Sequence, residues 1–410
     1  MGGGGGAVTG GGGGGTGAQA CSPLPAPTGT TINVMPSQAS TLPTIVANAG
    51  IGSTIVLASG TYAIPTSGLT FARAGVTLRS ASGNPADVVL DGATTTPEVL
   101  RVTADDITIA EVTVTNAVDH LIHVYPPGTA NISGFHFYRV RFIDGGEQFL
   151  KVNPMGTAYN DNGVVECSYF ELTDTGRPRI ERNPGGCYTG GIDVHGGRGW
   201  QVRANTFKNI YCAGEGLAEH AVHFWKGARD TLVEDNKILN CARGIGFGLG
   251  EGIVGRTYSD NPYPAISNVG HYDGIIRNNF VWANVDYFDT GIGIEVSPGT
   301  KVLHNSVVST AGAQFFTSID YRFAGTQGVV IRNNLTRRIT ARDGATGAED
   351  HNLQMTPQAS FVDFASGDLH LVAGAASAIN QGVVDAQAGL DIDGQPHDAG
   401  VPDLGAHEFR

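Results

Sequence analysis

Seven short segments carry the residues of this chain best suited to acid–base chemistry. They read Ile122-His-Val-Tyr125, Leu150-Lys-Val-Asn153, Ile192-Asp-Val-His195, Val222-His-Phe-Trp225, Ile245-Gly-Phe-Gly248, Ile292-Gly-Ile-Glu295 and Ile319-Asp-Tyr-Arg322. First and third positions are apolar in each, so on a strand they point inward and the second and fourth point outward. The outward columns are then His123, Lys151, Asp193, His223, Gly246, Gly293, Asp320 and Tyr125, Asn153, His195, Trp225, Gly248, Glu295, Arg322. Parallel neighbours about 4.8 Å apart would join these into one strip. An ordinary solvated sheet carries Thr, Ser, Lys and Glu; this strip holds three of the chain's 12 histidines among cations, carboxylates and large aromatics. Glu219 and His220 precede the Val222 segment, Lys226 follows it, and Arg243 precedes the next. Strict alternation turns His220 inward, as a core or corner histidine.

Removing a proton beside a carboxylate needs a cation to neutralise that carboxylate, a base and an acid. Lys151, His195, His223, Lys226 and Arg243 supply such a set within a few segments and are the expected catalytic residues. His123, Tyr125, Asn153, Asp193, His220, Trp225, Glu295 and Arg322 are expected to bind substrate, with Trp225 stacking on a sugar ring. Glycoside hydrolysis would need two carboxyl groups roughly 5 to 9.5 Å apart. Asp193 is central, but Glu295 and Asp320 lie more than one row away. Asp193-x-His195 with His223 is a weaker metal pattern; the expected chemistry requires no metal or other cofactor, with calcium as an option.

The elements that must position this strip follow from a repeat. An apolar-x-x-Asn-x-apolar motif recurs as Val202/Asn205/Phe207, Val233/Asn236/Ile238, Ile276/Asn279/Val281 and Val302/Asn305/Val307, with Ile331/Asn334/Thr336 as a weaker copy. Echoes without Asn are Ile109/Val112/Val114, Phe137/Val140/Phe142 and Val164/Cys167/Tyr169. The key positions are separated by 28, 27, 38, 31, 43, 26 and 29 residues, a solenoid spacing with insertions. The segments are short, β-branched and Gly-broken, which excludes helices. An all-β fold follows, a single-stranded right-handed parallel β-helix with loop insertions. The Asn ladder pairs backbone groups that the turns leave unpaired. The expected division is a Gly-rich tether over 1–29, the β-helix over 30–385 and a closing segment over 386–410. The polar insertions Thr173 to Tyr188 and Glu251 to His271 are expected to wall a groove.

Gly makes up 60 of the 410 residues, and only twelve of those fall in Met1–Gly17, so the enrichment belongs to the fold. There is no Gly-X-Y period, and no apolar run approaches the length of a membrane span. The net charge of −13 argues against a general nucleic-acid partner. No apolar leader stands in the first 30 residues; the Gly runs read as the tether of a trimmed secreted or cell-surface protein, expected to be a monomer. The five cysteines contain no CxxC pair. Cys212 and Cys241 end corresponding segments and could bridge, buried thiols being the alternative for them and for Cys167 and Cys187. Cys21 is expected to be unpaired.

Gly52-Ser-Thr-Ile-Val-Leu-Ala-Ser-Gly-Thr-Tyr62, Gly75-Val-Thr-Leu-Arg79 and Val88-Val-Leu-Asp-Gly92 resemble the opening coils of pectate-lyase-like β-helix proteins. The run from Asp391 to Glu408 resembles the closing segment of secreted bacterial β-helix repeat proteins; a turn-rich cap over the last coil is expected there, ahead of a calcium site. The stretch from His220 through Asn236 to Arg243 distantly resembles the catalytic coils of alginate-lyase and chondroitinase-B type enzymes. That family uses a Lys and an Arg on successive coils, with an Asn and two Glu holding calcium. Lys226 takes the Lys position with a one-residue shift, Gly248 stands at the Arg position with Arg243 displaced from it, and the close Glu pair is absent. The resemblance implies a polysaccharide lyase acting on an acidic, uronic-acid-containing polymer by β-elimination. A related C5-epimerase, a glycoside hydrolase and a non-catalytic glycan-binding surface module are the alternatives.

Overall fold

Short β-branched segments stack as parallel strands in three long sheets, one strand per sheet from each coil. The computed structural model describes residues 21–182, 186–214, 216–310 and 317–410; the Gly runs of Met1–Gly17 lie outside the described residues. A twelve-stranded sheet runs from Thr31–Val34 to Gly347–Asp350. One ten-stranded sheet runs from Gly60–Ala63 to Leu335–Thr336, and the other from Leu69–Phe71 to Ile339–Arg342. The chain is a parallel β-helix. Its interior is filled by stacked apolar side chains, such as Phe142, Phe170 and Phe207 with ring centroids 4.2 and 4.5 Å apart. No helix among the described residues is long and apolar enough to cross a membrane.

The repeated Asn forms a buried ladder at one corner. Asn236 Oδ1 accepts the Asn205 backbone N–H at 3.0 Å, while its Nδ2 donates to the Val202 and Glu234 carbonyls. The pattern continues through Asn279, Asn305 and Asn334 to Asn352. Each repeat Asn follows a residue at positive φ (Ala204, Asp235, Asn278, His304, Asn333), which turns the chain sharply and exposes the amides that Asn satisfies. Cys167 occupies that positive-φ position in its own coil, and Val165 and Phe170 pair with Val202 and Phe207. The third echo is therefore Val165/Ser168/Phe170, one residue later than the sequence pattern suggested. Asn279→Ala, which leaves buried backbone groups unpaired, is expected to cost about 1–3 kcal/mol, read as a lower urea midpoint.

The cysteines pair differently from expectation. Cys21 bonds Cys167, and Cys187 bonds Cys212. Cys241 is the buried free thiol, its pKa pushed up to about 12 by burial. Cys21 reaches Cys167 because the residues that follow it are pinned to the β-helix: Arg79 donates to the Leu24 and Pro25 carbonyls, and Tyr138 Oη to Ser22 O. Packing thus begins ahead of residue 30. Cys212 thus pairs with Cys187, on the insertion, and not with Cys241.

The C-terminal region lies along the side of the late coils. Phe361, Leu369, Leu371, Ile392 and Leu404 form a second core with the outward faces of Phe280, Trp282 and Leu335. Asp391 accepts backbone N–H groups from Asp393, Gln395 and Glu408, so its carboxylate closes turns.

Three buried histidines make the fold acid-sensitive. His271 packs flat on Phe247 at 3.9 Å, donates through Nδ1 to the Asp273 carbonyl and accepts from Thr231 Oγ1. Burial lowers its pKa to about 3, that of His304 to about 3 and that of His120 to about 4. Each folded pKa lies below the ordinary value, so the unfolded chain takes up protons first as pH falls. Stability should fall from pH 6.5 downward by up to roughly 4 kcal/mol per pH unit for the three together. A melting temperature unchanged between pH 6.5 and 4.5 would contradict this.

Candidate functional site

The strip lies on the sheet that ends at Ile339–Arg342. Its strands pair in the expected register: His123, Lys151, Asp193, His223, Gly246, Gly293 and Asp320 form one column across successive coils. His195 pairs with Trp225, and Glu295 with Arg322. The coils differ from strict alternation at one point. Two consecutive residues turn inward at the start of each strand, as in Leu121-Ile122, Phe149-Leu150 and Ala221-Val222, all fully buried. The ladder skips the first of each pair, so His120 pairs with Glu98, Gln148 with Gly190 and His220 with Arg243. His220 therefore faces outward, correcting the alternation argument. It belongs to a third outward column with Glu98, His120, Gln148, Arg243 and Thr290.

The first of the two inward positions is large in Leu121 and Phe149 but glycine on three later coils, where the neighbouring backbone comes too close for a side chain. A Cβ on Gly191 would sit 2.2 Å from the Ala221 carbonyl oxygen, and one on Gly244 2.1 Å from that of Gly291. The Gly-Ile pairs at 191–192, 244–245 and 291–292 were the available sequence signal for the inward pair.

Asp193 is the hub of the strip. Its carboxylate accepts from the Lys151 ammonium, from Trp225 Nε1 at 2.7 Å and from His195 Nε2 at 3.3 Å, and His223 Nδ1 lies 3.6 Å away. Burial alone would raise its pKa, but the His195 hydrogen bond and the charges of Lys151, His195 and His223 hold it well below the usual carboxylate range. Lys151 is only 6% exposed and His223 2%. Burial lowers the pKa of both His195 and His223. Lys151 and His195 thus form a buried floor with Asp193.

Trp225 closes this floor. Its ring lies parallel to His223 at 5.4 Å and edge-on to His195 at 4.6 Å, with the Lys226 ammonium 4.7 Å from the ring centre. Trp225 and Lys226 are therefore engaged with each other. On the early coils, His123 donates to Glu98 at 2.5 Å and faces Asn153 Oδ1 at 3.2 Å, with Tyr125 packed on its ring. The His123 hydrogen bond, against the opposing effect of burial, holds Glu98 at a pKa of about 2. Asn153 Nδ2 is 3.5 Å from His195 Nδ1, linking the two groups.

The open part of the strip is a cavity of 470 Å³ over the glycine rows, lined by His220, Arg243, Asp289, Glu295, Asp320, Arg322 and Arg342. Arg243 Nε donates to Asp289 Oδ2 at 3.2 Å, and its terminal nitrogen lies 3.8 Å from Glu219. Arg342 pairs with Asp320, and Arg322 lies near Glu295 and Asp343. His220 is 8% exposed, its ring 4.4 Å from that of His223, and its Nδ1 has no hydrogen-bond partner. Burial, aided by the charges of His223 and Arg243, holds its pKa well below the usual imidazole value. Of the expected site residues, His220, Arg243, Glu295 and Arg322 share this cavity, while His123, Tyr125 and Asn153 lie at the other end of the strip. Glu98, His120, Asp289 and Arg342 are strip or cavity residues that the alternation argument did not find.

The two insertions flank opposite ends of the site strands. Arg179, in the first, donates to the Ala117 and Asp144 carbonyls near the strand starts. In the second, Arg256 N donates to Lys226 O and Tyr258 Oη to Gly227 O just beyond the strand ends.

No protein-family model and no curated protein matches the sequence. Solved structures do match. The crystal structure of pectate lyase Pel9A is 17% identical, aligns over 93% of this chain and 97% of its own, and has a TM-score of 0.54. The likeness is one of fold, a parallel β-helix. A GH136 lacto-N-biosidase from Eubacterium ramulus is 9% identical with a TM-score of 0.50, over 79% of this chain and 67% of its own. An alginate lyase from Paenibacillus sp. is 17% identical with a TM-score of 0.45, over 79% and 99%.

Proposed function

We propose that this chain is a polysaccharide lyase that cleaves a uronic-acid-containing polymer by β-elimination at the cavity beside His220. The observation that carries the reading is that Arg243 and an imidazole held in its neutral form line the same cavity. Arg243 pairs with the uronate carboxylate and lowers the acidity barrier of the adjacent carbon. His220 takes that carbon's proton; the electron pair forms the ring double bond; and the bond to the neighbouring sugar's bridging oxygen breaks. The imidazolium then returns its proton to the leaving oxygen, so atoms and charge balance. Glu219 Oε2, 3.9 Å from His220 Nδ1, favours the tautomer with its proton on Nδ1 and its lone pair on Nε2.

Lys151, Asp193, His195 and His223 act in this reading beneath the reacting groups, as the buried frame that places His220 and Trp225. Lys226, over Trp225, and His123, Tyr125, Asn153, Glu295 and Arg322 extend the binding surface along the strip. The neighbour named as a pectate lyase supports an acidic polysaccharide as substrate. The two disulfides fit an oxidising compartment, in keeping with a secreted or surface-tethered monomer.

The test is ultraviolet absorbance of the purified chain with a panel of uronate polysaccharides, with and without calcium. A rise on one polymer records the conjugated double bond and identifies the substrate. A flat trace on all of them, with glycan binding retained, would replace this reading with a non-catalytic binding module.

A further inference from the structure

The structure assigns to Glu219, His220 and His223 a binding site for a divalent transition-metal ion of the zinc class, whose occupancy shuts down His220 as a base. One imidazole nitrogen from each histidine and a carboxylate oxygen of Glu219 lie within 4.8 Å of one another. In a tetrahedral zinc site with ligand bonds of about 2.0–2.1 Å, neighbouring ligand atoms stand about 3.4 Å apart. The three groups need to close by at most about 1.4 Å at their widest.

Independent features point to a ligand here. His220 Nδ1 is buried and has no hydrogen-bond partner, on a side chain more than nine-tenths buried. An imidazole left unpaired in that position carries an unmet cost that a metal bond would remove. His223 Nε2 lies 3.1 Å from the Gly248 carbonyl oxygen. Donation there leaves the lone pair on Nδ1 and fixes the ring, the backbone support typical of metal-bound histidine. Two nitrogens and one carboxylate suit zinc-class ions, whereas calcium takes six to eight oxygens. The Arg243 guanidinium, 3.8 Å from Glu219, opposes a cation there, and its pairing with Asp289 through Nε offsets part of that charge.

The consequence for catalysis rests on the lyase reading. A metal on His220 Nδ1 forces the ring proton onto Nε2, the atom that the proposed elimination needs as a lone pair. Metal and substrate proton then compete for one imidazole.

The test uses the full chain after chelator dialysis, titrated with Co²⁺ as a spectroscopic probe and with Zn²⁺ by calorimetry. The expected result is one ion per chain, with visible Co²⁺ absorption displaced by Zn²⁺. Glu219→Gln and His223→Ala should each weaken binding by at least about tenfold, while His351→Ala, at an exposed histidine, should leave it unchanged. A folded wild-type chain that binds no ion overturns the site; so does binding equally strong in both ligand variants, which would place the ion elsewhere. These readouts need no polysaccharide, so they stand apart from any failure to find elimination. Where a substrate is in hand, Zn²⁺ should suppress turnover in the wild type, and activation by Zn²⁺ would overturn the competition with His220.

Discussion

Replacing Asp193 with alanine should destabilise the protein by about 3–5 kcal/mol, because it leaves the Lys151 ammonium buried without its counter-charge. Lys151 and Asp193 are both nearly inaccessible and directly paired. The same change removes the acceptor of Trp225 Nε1 and His195 Nε2, so the whole floor loses its centre. Removing both charges, as Lys151→Met with Asp193→Leu, should recover much of the loss, since a buried ion pair is costly to break but cheap to replace by apolar packing. Chemical denaturation of the two variants checks this. A loss under 1 kcal/mol in Asp193→Ala would mean that water reaches Lys151 and that the floor is open.

His220→Ala should lower kcat for elimination by about 10²–10⁴, the usual contribution of a positioned acid–base group. Arg243→Ala should cost about 10²–10³ through loss of transition-state charge stabilisation, with Arg243→Lys intermediate because one point charge replaces a planar fork. Neither side chain is part of the interior core, so both variants should unfold near the wild-type temperature. His195→Ala should instead lower stability and activity together, because His195 reaches the reaction only through Asp193 and Trp225. Comparable turnover losses in all of these variants, each with a lowered melting temperature, would point to a collapsed strip and away from assigned roles.

The fold was legible because its signals repeat. Asn205, Asn236, Asn279, Asn305 and Asn334 each satisfy the same turn, and the short β-branched segments between them lack the Leu period of a leucine-rich repeat. The outward columns were legible for the same reason: His123 to Asp320 follow the register of buried neighbours such as Ile122 and Ile192. His220 was misplaced because two inward residues in succession break alternation, a backbone feature that pattern counting cannot register. Gly191, Gly244 and Gly291 marked the inward pair on their coils, but glycine is so common in this chain that three more carried little weight. The Cys21–Cys167 bond was hidden by its 146-residue separation, which only the pinning of residues 22–25 explains. Trp225 as a sugar platform rested on residue type alone; its engagement by His223, Asp193 and Lys226 depends on rotamers that spacing does not fix.

The most direct test of the central claim is to weigh the products of polysaccharide digestion carried out in water enriched in heavy oxygen. Elimination adds no water across the broken bond, so the account predicts unlabelled fragments, each new non-reducing end lighter by one water than its hydrolytic counterpart. Fragments carrying one heavy oxygen per cleavage would show hydrolysis and contradict the account.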